Sequence, residues 1–459
     1  MATTNERTVR VGNGQGFWGD SIIGPTQLVS TGELDYLTMD FLAEVTMSIM
    51  QKLRRKDPDA GYATDFINVV ERVLRVCKQR RIRIVANAGG VNPAACADAC
   101  EVLVRKLGID GVRLGIVEGD DLMGELGDLI AGGQDLANMD TGEPLVNRLD
   151  HVLSANVYLG ATPIAAALAD GADLVITGRV TDPSLVVGPL MYEFGWSVTD
   201  YDQLAAATVA GHIIECGTQC TGGNFDRWEE VPDLVHLGYP VIEARSDGSF
   251  VVTKQPGTGG MVTCDTVSAQ LLYELGDPTA YLTPDVIVDF TSIRLSQEAK
   301  NRVRVDGVRG RAPTPSNKVS VSLHAGYQAV GQLTVGGFDA IRRAQVTADL
   351  LFDRLALDEV YFDPQTRMIE IIGSDVLFPG MLPARPSPHE VVLRVGVSDS
   401  DRNRVDRFGR ELASLLTSGP SGLTGFAGGR PKASEVVAFW PALIDRNLVD
   451  WSVSVREVA

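Results

Sequence analysis

Short apolar, β-branched runs recur through the first half of the chain, and each ends in a loop of Gly, Asn, Asp or Thr. They are Thr8–Val11 into GNGQG, Leu34–Thr38 into MDF, Ile82–Ala86 into NAGGVNP, Val112–Val117 into EGDD, Leu153–Tyr158 into LGATP and Leu174–Thr177 into GRVTDPS. Helical patterns lie between them. Asp65–Gln79 sets Phe66, Val69, Val70, Val73, Leu74 and Cys77 at i, i+3, i+4, i+7 spacing, and Pro93–Leu107 follows the same rule. Nearly continuous apolar strands joined by helices predict a parallel sheet covered on both faces. Ligands of such folds bind beyond the carboxyl ends of the strands, where these loops fall.

The pattern changes near residue 230. PVIEARSDGSFVVTKQ predicts a hairpin turning at Asp247-Gly248. VIVDFTSIRLSQ and NRVRVDGVRG alternate as strands do. Asn317–Val330 and Ala340–Leu357 predict a strand and a helix, and His389–Val397, Asn403–Leu416 and Trp451–Val458 predict strand, helix and strand. Arg311–Ser316 and Pro379–Pro388 are proline-rich connections. The fold class expected is α/β, with a parallel sheet flanked by helices in the N-terminal half and an α+β part with antiparallel strands. The domains expected are 1–230 and 231–459.

A net charge of −18 disfavours nucleic acid and anionic membrane as partners. No apolar run reaches membrane-span length, and no signal peptide opens the chain. Six cysteines are too few for a disulfide scaffold, so free thiols in the cytoplasm are expected. Large α/β enzymes are often symmetric oligomers, so a homo-oligomer is the expectation.

Gly14, Gly16 and Gly19 match the dinucleotide fingerprint G-x-G-x-x-G. Phe17-Trp18 inside the turn and Gly24-Pro25 after it oppose a long first helix, so NAD(P) binding here is a lesser reading. AGHIIECGTQCTGGNF (210–225) is the most suggestive stretch. His212, Cys216 and Cys220 at i, i+4 and i+8 resemble a three-ligand zinc set. Without metal, Glu215 or Cys216 becomes an acid/base with His212 as partner. With neither, the cysteines are small core residues. Gly217 and Thr218 argue against a helix reaching Cys220, so a metal-free site with no cofactor is expected.

Arg179 and Asp182 sit just beyond a strand, where the arginine would clamp a carboxylate or phosphate and Asp182 would serve as base or as its partner. Asn87, Gly89 and Gly90 precede a helix and would offer N–H groups to an anion. Lys254, Thr258, Gly259 and Gly260 form a second glycine loop that would hold phosphates or a thioester carbonyl, and Asn224 joins the binding set. The alternative for both loops is a tight turn. Asp20 and Asp65 are site carboxylates or helix caps. His151, His236, His324 and His389 stand in no motif.

GFWGDS (16–21), LDYLTMDFLAEVTM (34–47), GYATDF (61–66), IVANAGGVNP (84–93), GADLVITGRVTDPSLVVGPL (171–190), AGHIIECGTQCTGGNF, VTKQPGTGGMVT (252–263), AQLLYELGDPTAYLTPDV (269–286) and VRVDGVRG (303–310) together resemble the acyclic terpene utilization (AtuA-like) family. That resemblance implies catabolism of terpenoids through CoA thioesters and a C–C lyase step on a branched 3-hydroxyglutaryl-CoA-type intermediate. Many relatives carry a small C-terminal ferredoxin-like domain with the string Arg-Ser-Gly-Asp-Lys-Gly, which this sequence lacks. Three functions are therefore expected in order: a lyase or hydratase acting on an acyl-CoA thioester or related branched hydroxy-carboxylate, a half-site subunit needing a small ferredoxin-like partner, and an NAD(P)-dependent oxidoreductase.

Overall fold

The apolar runs of the first half become β1 (Val9–Asn13), β2 (Tyr36–Met39), β3 (Arg83–Ala86), β4 (Val112–Glu118), β5 (Val152–Val157) and β6 (Leu174–Thr177) in a computed structural model that describes residues 7–31, 33–381, 387–425 and 428–459. Side by side in the order β1-β2-β3-β6-β4, five of them are parallel. β5 leaves this sheet and pairs with the later strand 316–336. Its six residues are all buried, as those of the parallel strands mostly are, so apolarity alone does not reveal which sheet a strand joins.

The predicted hairpin forms as β7 (Pro240–Ala244) and β8 (Phe250–Lys254). β9 (Tyr281–Leu282), β10 (Ile287–Asp289), β11 (Arg294–Ala299), β12 (Arg302–Asp306) and β13 (Arg309–Arg311) follow. β7, β8, β12 and β11 extend the parallel sheet beyond β1 by antiparallel pairing. The last strand, Ser452–Val458, closes the opposite edge against β4. One ten-stranded mixed sheet results. β9, β10 and β13 form a small antiparallel sheet of their own.

Two compact units follow: the chain up to Ser322 together with Phe439–Ala459, and Leu323–Ala438. The change of pattern at residue 230 therefore marks a switch from parallel to antiparallel pairing within one sheet, and the compact units part elsewhere. The first unit's core includes Leu37, Phe41, Phe66, Val70, Ile84, Cys100 and Leu114, each fully buried. The helix Thr64–Arg80 supplies its buried stripe at the predicted positions Phe66, Val69, Val70, Val73, Leu74 and Cys77.

The second unit holds the part of β14 (Ser316–Gly336) from Leu323 on, then the helix Ala340–Leu357, β15 (Arg367–Ile372), β16 (Glu390–Asp399), the helix Arg402–Ser418, β17 (Leu423–Thr424) and the start of β18 (Ser434–Asp445). β14 pairs with β16 from Tyr327 to Gly336, β16 pairs with β15, and β18 lies beside β14. With the two-residue β17 set aside, the order βαββαβ is the split-βαβ arrangement of ferredoxin-like folds. Odd-numbered residues of β16, Val391 to Val397, meet Leu351, Leu355, Phe408 and Leu412 of the two helices. The proline-rich connection expected at Pro379–Pro388 lies in part outside the described residues. Among the described residues no helix is long and apolar enough to cross a membrane, and all six cysteines are free thiols.

Candidate active site

Polar side chains gather at the carboxyl ends of β1, β2, β3 and β6. After β2, Asp40 accepts from Asn87 Nδ2 at 2.6 Å, and Asn87 Oδ1 accepts from the Phe41 N–H at 2.7 Å. Asn87, expected to bind substrate, thus ties the ends of β2 and β3 together. After β6, Arg179 is 2% exposed. Its Nη1 donates to the Leu42 carbonyl at 3.0 Å and its Nη2 to Asp182 at 2.5 Å. Tyr158 lies under the guanidinium, 4.4 Å from ring centroid to carbon, and donates its hydroxyl to Glu44 at 2.8 Å. Lys318 reaches Glu44 at 3.5 Å.

Burial is the first force on these carboxyls. It raises Asp40 well above the usual carboxylate range, helped by Asp182 and opposed by Arg179. Burial raises Asp182 too, with Arg179 opposing and Glu44 and Glu274 adding repulsion. The Asp182 side chain is 32% exposed while Arg179 behind it is sealed, so Asp182 is the member of the pair that faces outward.

The second group comes from the end of the helix Tyr201–Ile214. His212 is 1% exposed. Its Nδ1 lies 3.1 Å from Glu215 Oε1, and its ring packs against Tyr281 and Phe290 at centroid distances of 5.5 and 5.6 Å. Burial lifts the Glu215 carboxyl to about 7; the His212 hydrogen bond and charge oppose this, and Asp182 and Glu274 add to it. For His212, burial acts downward and the Glu215 hydrogen bond and charge overcome it, so the imidazole stands above the ordinary histidine value. Glu215 Oε2 is buried without a hydrogen-bond partner. An ionised oxygen in that position would be costly, whereas a protonated carboxyl suits it. Burial, with Glu215 next, drives the Cys216 thiol far upward, which leaves it protonated and a poor nucleophile.

Two close approaches bring these groups together. A Cβ on Gly211 would lie 2.6 Å from Pro183 Cα, so glycine is what lets the helix press on the turn that follows Asp182. A Cβ on Gly16 would lie 3.0 Å from the Cys216 backbone. Asn13, at the end of β1, donates from Nδ2 to the Ile214 and Glu215 carbonyls at 2.8 and 2.9 Å, closing the helix terminus. Of the three fingerprint glycines, Gly16 packs on the backbone that follows Glu215, while Gly14 lies against Pro25. Their N–H groups are taken: Gly14 by the Thr38 carbonyl, Gly16 by Asp20 and Gly19 by Asp65. The first helix starts at Ile23, beyond all three glycines, which departs from the fingerprint's turn-to-helix geometry. Asp20 and Asp65 serve that loop.

The other expected binding loops are engaged internally. Gly89 N–H donates to the Thr177 carbonyl and Gly90 N–H to Asn87. Lys254 Nζ donates to the Thr258 carbonyl and hydroxyl at 2.7 and 3.2 Å. The N–H groups of Thr258, Gly259 and Gly260 go to the Gln255, His236 and Pro232 carbonyls. Each loop is a closed turn, with no N–H of these residues left for an anion. Asn224 is exposed in a left-handed turn, φ 52°. The helix ends at Ile214, so Cys220 falls in a separate buried 3-10 turn off the face of His212 and Cys216. Burial pushes the Cys220 thiol up to about 12. Among the described residues no group of three His, Cys, Asp or Glu side chains is placed to share a metal ion.

Sequence reasoning missed Asn13, Asp40, Glu44, Asp120, Tyr281 and Glu274. Asp120, 3% exposed, accepts from the Arg179 N–H and from Asn156 Nδ2, each at 2.8 Å, and burial raises it to about 7. The available signal was position: Asn13, Asp40 and Asp120 directly end or follow strands whose loops were read for their glycines.

Fold and site together define an α/β protein with a buried histidine–glutamate pair beside an arginine–aspartate pair, at the carboxyl edge of a parallel sheet. The chain matches the family model for the acyclic terpene utilisation family protein AtuA over residues 9–455, and it belongs to that family. No curated protein and no solved structure matches it.

Proposed function

We propose that the protein is a lyase or hydratase acting on an acyl-CoA thioester or a related branched hydroxy-carboxylate, within terpenoid or branched-acid catabolism. The observation that carries this reading is Glu215: a carboxyl lifted to about 7, held by His212, at the ligand edge of the sheet. Lyases and hydratases move one proton beside a carbonyl, and an acid/base works best with a pKa near the working pH. Glu215 is the acid/base in this reading, and His212 is the positioning residue that fixes its carboxyl. Arg179 holds Asp182 with its carboxyl turned outward, and Cys216 follows Glu215 as a protonated thiol. The family's association with acyclic terpene utilisation supports the substrate class. The glycine loops at Gly89 and Lys254 keep the scaffold in shape.

A thermal-shift panel with CoA, acyl-CoAs and NAD(P) tests the reading. A ligand at about 100 times its Kd stabilises the native state by roughly 2.7 kcal/mol. A rise in Tm with branched acyl-CoAs is expected. A rise with NAD(P) alone contradicts it and restores the oxidoreductase. If only addition of a small ferredoxin-like protein produces a shift, the chain is half of a two-component site.

A further inference from the structure

Tyr281 belongs to no catalytic motif of the sequence, yet it stands at the centre of the cluster. It lies on β9, registered by β10 through Val288. Its ring is held between His212 and Phe290, at centroid distances of 5.5 and 5.0 Å. The residue is half-buried, and its hydroxyl takes no hydrogen-bond partner among the described residues. The groups whose charge it feels are Glu215, Asp182, Glu274 and Cys216, and burial keeps the phenol protonated. A rigid, neutral, unpartnered O–H next to a proton-transfer carboxyl is what a carbonyl oxygen requires when charge develops on it.

We propose that the Tyr281 hydroxyl binds the substrate's carbonyl oxygen and stabilises the charge that develops on it. This rests on the acid/base reading of Glu215. Neutral acids are compatible with an enolate: a protonated carboxyl and a tyrosine together form the oxyanion site of ketosteroid isomerase.

The test uses pentane-2,4-dione, a small neutral diketone whose enolate absorbs in the near ultraviolet, at a pH below its own ionisation. The wild-type protein should raise the enolate fraction, and Tyr281→Phe should remove that rise. In turnover, Tyr281→Phe should lower kcat by about 100-fold or more with little change in KM. Replacement of Tyr281 by 3-fluorotyrosine keeps the ring and strengthens the donor, so the enolate fraction should exceed that of the wild type even if the Phe variant folds poorly. No enolate rise with the wild type, an undiminished rise in a folded Tyr281→Phe, or no gain with fluorotyrosine overturns the proposal. The probe carries no CoA, so failure of the acyl-CoA panel with a positive diketone result rejects the substrate class and leaves Tyr281 in place.

Discussion

Glu215 and Asp120 are both carboxyls lifted to about 7 by burial, but their surroundings differ. Asp120 accepts twice on Oδ2, from the Arg179 N–H and from Asn156 Nδ2, which ties it into the strand-end loops. Glu215 keeps one oxygen without a partner, as a group that exchanges protons does. The consequences separate. An acid with a raised folded pKa contributes stability below its unfolded pKa and loses it as pH rises through the folded value. Asp120, with an ordinary value of 3.8, should therefore cost the wild type stability between pH of about 4 and 7. Asp120→Asn should flatten that part of the curve, measured as Tm against pH; an unchanged slope would mean that Asp120 is not the titrating group. Replacing His212 with Phe keeps a ring and removes the hydrogen bond and charge that hold Glu215 down. The kinetic ionisation near 7 should then move to higher pH, a change that simple loss of packing would not produce.

At the scale of elements, the site is assembled by contacts that only small or capping residues permit. Gly211→Ala should force the helix Tyr201–Ile214 away from Pro183, destabilising by about 1–3 kcal/mol and lowering activity more than chemistry at residue 211 would explain. Asn13→Ala should leave the Ile214 and Glu215 carbonyls without their donor, at about 1–3 kcal/mol, read by denaturant melts. The sequence made part of this visible. The i, i+3 spacing of His212 and Glu215 on a helix end, and Arg179 with Asp182 after a strand, were legible because local periodicity places them. The glycine loops misled: GTGG and NAGG look like anion cradles in sequence, and only the fold reveals that acceptors such as Thr177, His236 and Pro232 already hold their N–H groups. Tyr281 and Asp40 were invisible because the contacts that make them functional come from distant elements.

Over the whole molecule, the alternation of strands and helices was enough to give the parallel sheet, since covered strands must be apolar on both faces. Two features were not legible. β5 departs to pair with β14, and β7, β8, β11 and β12 join the first sheet, because strand pairing across long separations leaves no local trace. β15 was missed as well, its run RMIEII being short and only partly buried. The division into two compact units makes its own prediction. Phe66 and Phe408 are each fully buried, in separate cores. Truncating either to Ala should cost about 3–5 kcal/mol. In calorimetry, Phe408→Ala should lower the melting of Leu323–Ala438 and leave acyl-CoA protection of the larger unit in place; loss of that protection would show that the two units are thermodynamically one.

The central claim is that Glu215 moves the proton. The most direct measurement is the pH dependence of kcat/KM for the wild type and Glu215→Gln on the acyl-CoA that gives the largest thermal shift. Glu215→Gln should lose about 100-fold or more in turnover while retaining the ligand-induced rise in Tm, and the wild-type profile should show an ionisation near 7. A folded Glu215→Gln with full activity and an unaltered profile would contradict the account.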